Sequence, residues 1–136
     1  MEFELDITAL QNAVQALEDS IETYKKYSGT DIKLTDSLRS GVIQNFETAY
    51  ELCWKYMKRW LEGNISPDIV AGAVRKEFYR IANENLLISD PEAWFGFHSA
   101  RNKTSHVYNK IAAEEVLKAA FKFLPYAKEL ISKLEA

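Results

Sequence analysis

The sequence predicts an all-α fold, an antiparallel up-and-down helical bundle of four main helices and a shorter one. Apolar residues recur at three- and four-residue spacing along almost the whole chain, as in helices that bury one face. No segment alternates apolar and polar residues over the length of a strand. Short connections between the predicted helices favour antiparallel neighbours. The 136 residues are predicted to form one domain, 1–136.

The first two helices are predicted from apolar stripes that end at turn-forming residues. Helix one should span about residues 7–27 and stop before Ser28-Gly29-Thr30. Helix two should start at Thr35, as its N-cap, and continue to about Glu62. It should end at Gly63-Asn64, since both residues tolerate the left-handed conformation of a helix end. Its stripe is wide enough to contact two neighbouring helices.

One start signal occurs twice in the second half of the chain. Ser66-Pro67-Asp68 and Asp90-Pro91-Glu92 both read as an N-cap residue, a proline at the first helical position and a first-turn acid. They predict the starts of the third helix, which fades around residues 83–85, and of the fourth, which leads into residues 101–108.

The fifth helix is predicted to start near Ala113. Pro125 lies inside it and should kink it, at a cost of up to about 3 kcal/mol without compensating contacts. Its predicted apolar stripe comprises Val116, Leu117, Ala120, Phe121, Leu124, Ala127, Leu130, Ile131 and Leu134.

Composition and charge exclude several classes of protein. The net charge of −3 argues against nonspecific coating of nucleic acid by the whole surface, so no DNA partner is expected, but it leaves room for a local basic site. Cys53 is the only cysteine, which excludes an internal disulfide and favours a reducing, cytoplasmic location. Met1-Glu2-Phe3-Glu4-Leu5 lacks the pattern of a signal peptide. No apolar run approaches the roughly 20 residues that cross a bilayer, so no membrane association is expected.

The most informative segment is Arg101-Asn102-Lys103-Thr104-Ser105-His106-Val107-Tyr108. No acid occurs between Glu92 and Glu114, whereas three basic residues fall inside that gap. A positive pocket that holds one imidazole suits the binding and cleavage of a phosphodiester. On a continuous helix Arg101 and His106 would lie about 140° apart. They can converge only if the helix ends or distorts between them, or if a second subunit contributes. The alternative is that both residues form hydrogen bonds at a helix terminus.

Other polar groups allow two interpretations. Glu47, Glu51 and Lys55 recur every four residues on helix two. They form either a solvated ladder of ion pairs, or a set in which Glu47 or Glu51 orients Arg101 or lines a nucleotide site. His98 is expected at the bundle edge or at an interface. No metal site or cofactor is expected, because the chain lacks HExxH, a cysteine pair and a glycine-rich phosphate loop.

Four features resemble, in order and spacing, the small nucleotidyltransferase substrate-binding family of the HEPN superfamily. They are residues 46–55 (FETAYELCWK), Ser66-Pro67, Trp94 and residues 101–109 (RNKTSHVYN), and the resemblance extends from about residue 10 to residue 134. It implies a helical-bundle homodimer encoded beside a minimal nucleotidyltransferase. In one branch of the family, the Arg-x4-His-x-Tyr protein is a toxin that cleaves RNA. Its partner transferase is the antitoxin, which adds AMP to the motif tyrosine.

The resemblance implies roles for residues of this chain. Arg101, Asn102 and His106 match the catalytic motif, and Tyr108 matches the modified tyrosine. The implied function is that of a metal-independent endoribonuclease with RNA as its substrate. The implied assembly is a homodimer that has a nucleotidyltransferase as its partner. Two alternatives stay open, a noncatalytic substrate- or nucleotide-binding subunit of a two-component nucleotidyltransferase and a purely structural dimer. Charged residues near the motif and on helix two are candidates for binding substrate or partner: Lys103, Glu47, Glu51 and Lys55.

Overall fold

The structure is a computed structural model that describes residues 3–136, so Met1-Glu2 of the N-terminal pattern lie outside the described residues. The prediction of an all-α protein is confirmed, and the described residues contain no strand. Three helices are long and two are short, with a 3-10 turn at residues Lys103–His106. The α-helices are α1 (Thr8–Tyr27), α2 (Ile32–Asn64), α3 (Arg75–Glu84), α4 (Pro91–Asn102) and α5 (Lys110–Glu135).

Helices α1 and α2 form an antiparallel pair, because only four residues connect them. The start of α2 differs from the prediction. The Asp31 carboxylate caps the helix by accepting hydrogen bonds from the backbone N–H groups of Lys33 (2.8 Å) and Leu34 (3.2 Å). Thr35 lies inside the helix, where its hydroxyl accepts from the Gly29 N–H at 2.8 Å. The prediction of Thr35 as the N-cap is wrong, since Asp31 supplies an acceptor one turn earlier.

Gly63, near the C-terminal end of α2, has a different role from the predicted one. The helix continues through Asn64, and its C-cap residue Ile65 has φ −110°. Only Gly29 and Gly72 among the glycines have positive φ, so Gly63 does not adopt the left-handed conformation. A Cβ on Gly63 would lie 2.5 Å from the Phe3 ring. Glycine at this position therefore allows Phe3 to pack against the end of α2.

The two proline-containing start signals have different outcomes. At Asp90 the prediction is confirmed, because the Asp90 carboxylate accepts from the Ala93 N–H at 3.0 Å and Pro91 opens α4. At Ser66-Pro67-Asp68 it is wrong, because turns and irregular backbone fill residues 66–74 and α3 begins only at Arg75. Gly72 interrupts the segment with φ +73°, a conformation that an α-helix cannot contain.

Helix α5 begins at Lys110, three residues before the predicted start, because the Asn109 side chain accepts from the N–H groups of Ile111 and Ala112. The helix continues through Pro125 to Glu135. The predicted stripe omitted Phe123, which is completely buried, and included Phe121, which is only half-buried. No helix in residues 3–136 is long and apolar enough to cross a membrane.

Phe123 lies at the centre of an aromatic cluster that joins three helices. Its ring contacts Phe46 of α2 at a centroid distance of 5.2 Å, and Trp94 and Phe97 of α4 at 5.6 and 5.2 Å. All three contacts are edge-to-face, the geometry that aromatic rings favour. This packing holds α4 against α2 and so fixes where the C-terminal end of α4 lies.

Candidate functional site

The motif segment changes its backbone conformation between Arg101 and His106. Helix α4 ends at Asn102, and residues Lys103–His106 continue as a 3-10 turn. Thr104 stabilises this junction through its hydroxyl, which lies 2.8 Å from the Arg101 carbonyl oxygen and 2.5 Å from Glu47 Oε2. The α-helix therefore ends between Arg101 and His106, which is one of the conditions under which these two side chains can face one site.

Carboxylates of α2 hold the Arg101 guanidinium. Its Nε donates to Glu51 Oε1 at 3.0 Å, and its Nη1 donates to the Thr104 hydroxyl at 3.1 Å. Nη1 also lies 3.5 Å from Glu47 Oε2. The Arg101 side chain keeps 30% of its surface exposed. These contacts fix the orientation of the guanidinium and offset much of its charge.

The prediction of an acid-free pocket around the motif is therefore wrong. The motif has no acid nearby in sequence, but Glu47 and Glu51 reach Arg101 from 54 and 50 positions away, and Glu115 of α5 binds Lys103 at 2.6 Å. Helix packing brings these carboxylates to the motif, which local sequence does not reveal.

The charged series on α2 does not form the simple ladder that was one of its two interpretations. Glu47 and Glu51 face Arg101, and Glu51 Oε2 also accepts from the Trp54 indole N–H at 3.0 Å. Lys55 is exposed and forms no ion pair within residues 3–136. The two carboxylates thus contact the motif arginine, and Lys55 lies on the solvent side of α2.

His106 and Tyr108 lie on the open surface of the protein. Their rings are 6.4 Å apart, centroid to centroid, and Tyr108 is 88% exposed. Within the described part of the chain neither side chain forms a hydrogen bond. The imidazole and the phenol are therefore both accessible to a ligand or to a second protein.

A hydrogen-bond network that the sequence analysis missed lies beside the motif. The buried Tyr50 hydroxyl contacts the Tyr79 hydroxyl, Arg75 Nη1 at 3.1 Å and His98 Nδ1 at 3.2 Å. The other imidazole nitrogen, Nε2, lies 3.5 Å from the Asn102 amide nitrogen. Three helices contribute to this network, and the only local signal was the four-residue spacing of His98 and Asn102 on α4.

Burial determines the protonation states in this network. Desolvation, and secondarily the positive charge of Arg75, lowers the pKa of His98. The imidazole is therefore neutral near pH 7, with one nitrogen as donor and the other as acceptor. Burial also raises the pKa of Tyr50 and raises that of Tyr79 well above its ordinary value, so both phenols remain protonated. The network is uncharged apart from Arg75.

Comparisons with known proteins agree on the family. The family model described as nucleotidyltransferase substrate binding protein like matches residues 5–136. Probable ribonuclease HepT from Haemophilus influenzae is 31% identical over 134 residues, which cover 96% of this chain and 92% of that protein.

Solved structures share the fold. A Haemophilus influenzae protein, described as revealing the fold of a substrate binding domain of a nucleotidyltransferase, superposes with a TM-score of 0.89 at 30% identity, covering 96% of this chain and 100% of that one. A Thermus thermophilus protein shares the fold at 22% identity, with a TM-score of 0.67 and coverage of 88% and 99%. The chain belongs to the nucleotidyltransferase substrate binding protein-like family.

Proposed function

We propose that the protein is a metal-independent endoribonuclease that acts as a homodimer. One observation carries the proposal. The exposed His106 imidazole lies on the 3-10 turn that follows the end of α4, and Glu47 and Glu51 hold the guanidinium of Arg101 near that end. The 31% identity to probable ribonuclease HepT supports it.

The chemistry requires three kinds of group, and one protomer supplies only part of them. RNA supplies its own nucleophile, the 2′-hydroxyl, so cleavage needs a base, an acid and a donor to the phosphoryl oxygens. His106 takes or gives a proton, as an imidazole can near neutral pH. Glu51, Thr104 and Glu47 engage Nε and Nη1 of Arg101, and no acceptor in residues 3–136 binds Nη2. The Nη2 N–H groups can therefore donate to a phosphoryl oxygen in the transition state. Asn102 belongs to the proposed catalytic set, and Lys103 is proposed to bind substrate or partner.

The second proton-transfer group comes from a second protomer. One chain has a single motif histidine, whereas an isologous dimer with the motif near its two-fold axis places two in one cleft. The motif surface carries exposed apolar side chains that suit such an interface, because Tyr108 is 88% and Ile111 73% exposed. We expect a dimer by sedimentation or light scattering. A strictly monomeric protein with full ribonuclease activity would rule out this arrangement.

Tyr108 is the proposed site of regulation by a partner nucleotidyltransferase. Its exposed hydroxyl can accept AMP, and the added phosphate would place negative charge beside His106, where an RNA phosphate must bind. We expect the partner and ATP to silence the wild type and to leave Tyr108→Phe active. Equal silencing of the two proteins would contradict this role.

A noncatalytic subunit that presents substrate to a nucleotidyltransferase is the second candidate. The observation that favours it is the pairing of Arg101 with two carboxylates, which leaves the site with little net positive charge. In this case Lys103, Glu47, Glu51 and Lys55 would contact substrate or partner rather than support cleavage.

Cleavage of a mixed tRNA and mRNA pool in excess EDTA distinguishes the two candidates. Wild type and His106→Ala are purified in parallel, so that a contaminating ribonuclease would appear in both, and mass spectrometry verifies that Tyr108 is unmodified. We expect cleavage by the wild type alone. Absence of cleavage by unmodified wild type would favour the noncatalytic subunit, and equal cleavage by both proteins would exclude His106 from the site.

A further inference from the structure

A cavity of about 470 Å³ lies between α2 and the turns that precede α3. Its lining combines aromatic rings with charged side chains: Trp54, Lys58 and Glu62 from α2, and Arg75 and Phe78 from α3. None of these residues belongs to the Arg-x4-His-x-Tyr motif. The cavity is nevertheless joined to that motif by hydrogen bonds.

One wall of the cavity carries a planar group, the Arg75 guanidinium, which is stacked on the Trp54 indole. The Arg75 guanidinium carbon lies 3.6 Å from the centroid of the Trp54 ring, and the Phe78 ring meets the same indole edge-on at 6.0 Å. The hydrogen bond from Arg75 Nη1 to the Tyr50 hydroxyl fixes the guanidinium in this position. Unpaired nucleobases stack on aromatic rings and on guanidinium planes. Arg75 covers one face of the indole, so the outer face of its guanidinium is the surface on which a nucleobase can stack.

A cationic side chain also lines the cavity. Lys58 is exposed, follows Trp54 by four residues and so lies on the same face of α2. It forms no ion pair within residues 3–136, which leaves its ammonium group available to a phosphate. Glu62 lies one turn further along the same face, where its carboxylate can accept a hydrogen bond from a ribose hydroxyl or a base amine.

A single carboxylate connects the cavity to the proposed catalytic arginine. Glu51 accepts from the Trp54 indole nitrogen through Oε2 and from Arg101 Nε through Oε1, at 3.0 Å in both cases. The two donor nitrogens therefore lie within about 8 Å of each other. A nucleotide bound in the cavity would be a near neighbour of a phosphate bound at Arg101.

We propose that this cavity binds one nucleotide of a single-stranded RNA substrate, flanking the phosphate that is cleaved. The base stacks on the outer face of the Arg75 guanidinium, whose inner face covers Trp54, and a phosphate binds Lys58. The position relative to a cleaved phosphate rests on the proposed ribonuclease function, whereas the binding of the nucleotide does not.

Binding of a fluorescein-labelled 2′-O-methyl RNA hexamer in EDTA tests the proposal, because this RNA lacks the nucleophile and cannot be cleaved. We compare Lys58→Gln with Lys122→Gln, which removes an exposed lysine of α5. Lys58→Gln should weaken binding about fivefold near 0.1 M salt and reduce the slope of log K against log salt by about 0.7, as expected for one lost phosphate contact on a single strand. Lys122→Gln should bind like the wild type. Equal affinities and slopes for the two variants would overturn the proposal, as would failure of the wild type to bind.

A second variant tests stacking separately from charge. Arg75→Lys keeps the positive charge and removes the planar group, so it should weaken binding about fivefold or more while the salt slope stays unchanged. Circular dichroism verifies that the variant is folded. Wild-type affinity in a folded Arg75→Lys protein would overturn stacking on this wall.

These results are separable from those of the cleavage experiment. Binding that depends on Lys58, together with absence of cleavage, would overturn the ribonuclease and retain the nucleotide site. Cleavage that depends on His106, together with binding that is independent of Lys58, would overturn only the nucleotide site.

Discussion

Replacing Phe123 with alanine removes the side chain that joins α5 to α2 and α4. Phe123 is completely buried, and its ring contacts those of Phe46, Trp94 and Phe97 at 5.2 to 5.6 Å. Because α4 carries Arg101 and α2 carries the carboxylates that hold it, the same packing determines the geometry of the candidate site.

The structure allows an estimate of the cost. A buried Phe→Ala change lowers the free energy of unfolding by about 3–5 kcal/mol, and three edge-to-face pairs place Phe123 in the upper part of this range, at about 4–5 kcal/mol. Phe121 is the matched control, since it is the same residue two positions earlier. It is half-buried, and its ring packs at 5.9 Å against Tyr24. Phe121→Ala should cost about 1–2 kcal/mol.

Urea denaturation followed by far-UV circular dichroism measures both costs. The variants are compared at one protein concentration, because the proposed dimer would make stability depend on concentration. A cost for Phe121→Ala equal to or greater than that for Phe123→Ala would refute the observed orientation of α5 and support the stripe predicted from sequence.

Three further predictions concern the site and its supports. Asp90→Ala should lower the unfolding free energy by about 1 kcal/mol and Ser66→Ala by less, because of these two residues Asp90 alone caps a helix; similar costs in urea denaturation would contradict this. A double-mutant cycle of Glu51→Gln and Arg101→Gln should give a coupling of about 1 kcal/mol, reduced by partial exposure, and zero coupling would mean that the pair does not form in solution. The pKa of His98 is lower in the folded than in the unfolded protein. His98 therefore stabilises the fold at pH values above its unfolded-state pKa, and this stabilisation is lost as pH falls through its folded-state pKa. Between pH 7.5 and 5 the stability of wild type should thus fall more steeply than that of His98→Gln, and parallel curves would be inconsistent with a depressed pKa.

Helix type and most helix ends follow from short-range chemistry. The Asp90 cap acts three residues away in sequence, and the apolar spacing of α1 is a property of that segment alone. Even so, Ser66-Pro67 carries the same signal as Asp90-Pro91 and starts no helix, because Gly72 adopts a left-handed conformation a few residues later. The error at Phe121 and Phe123 has a related cause, since both positions fit an apolar helix face and only packing against α2 and α4 distinguishes them.

The sequence by itself determined the all-α class, the family and the order of the motif residues from Arg101 to Tyr108. Periodicity, capping and motif spacing are contained in segments of up to about 20 residues, so they can be read without a fold. The tertiary structure alone decided the electrostatics of the site, because Glu51 reaches Arg101 across 50 positions of the chain. It also decided the protonation of His98 and the cavity beside Trp54, since burial and contact between separate helices exist only after packing.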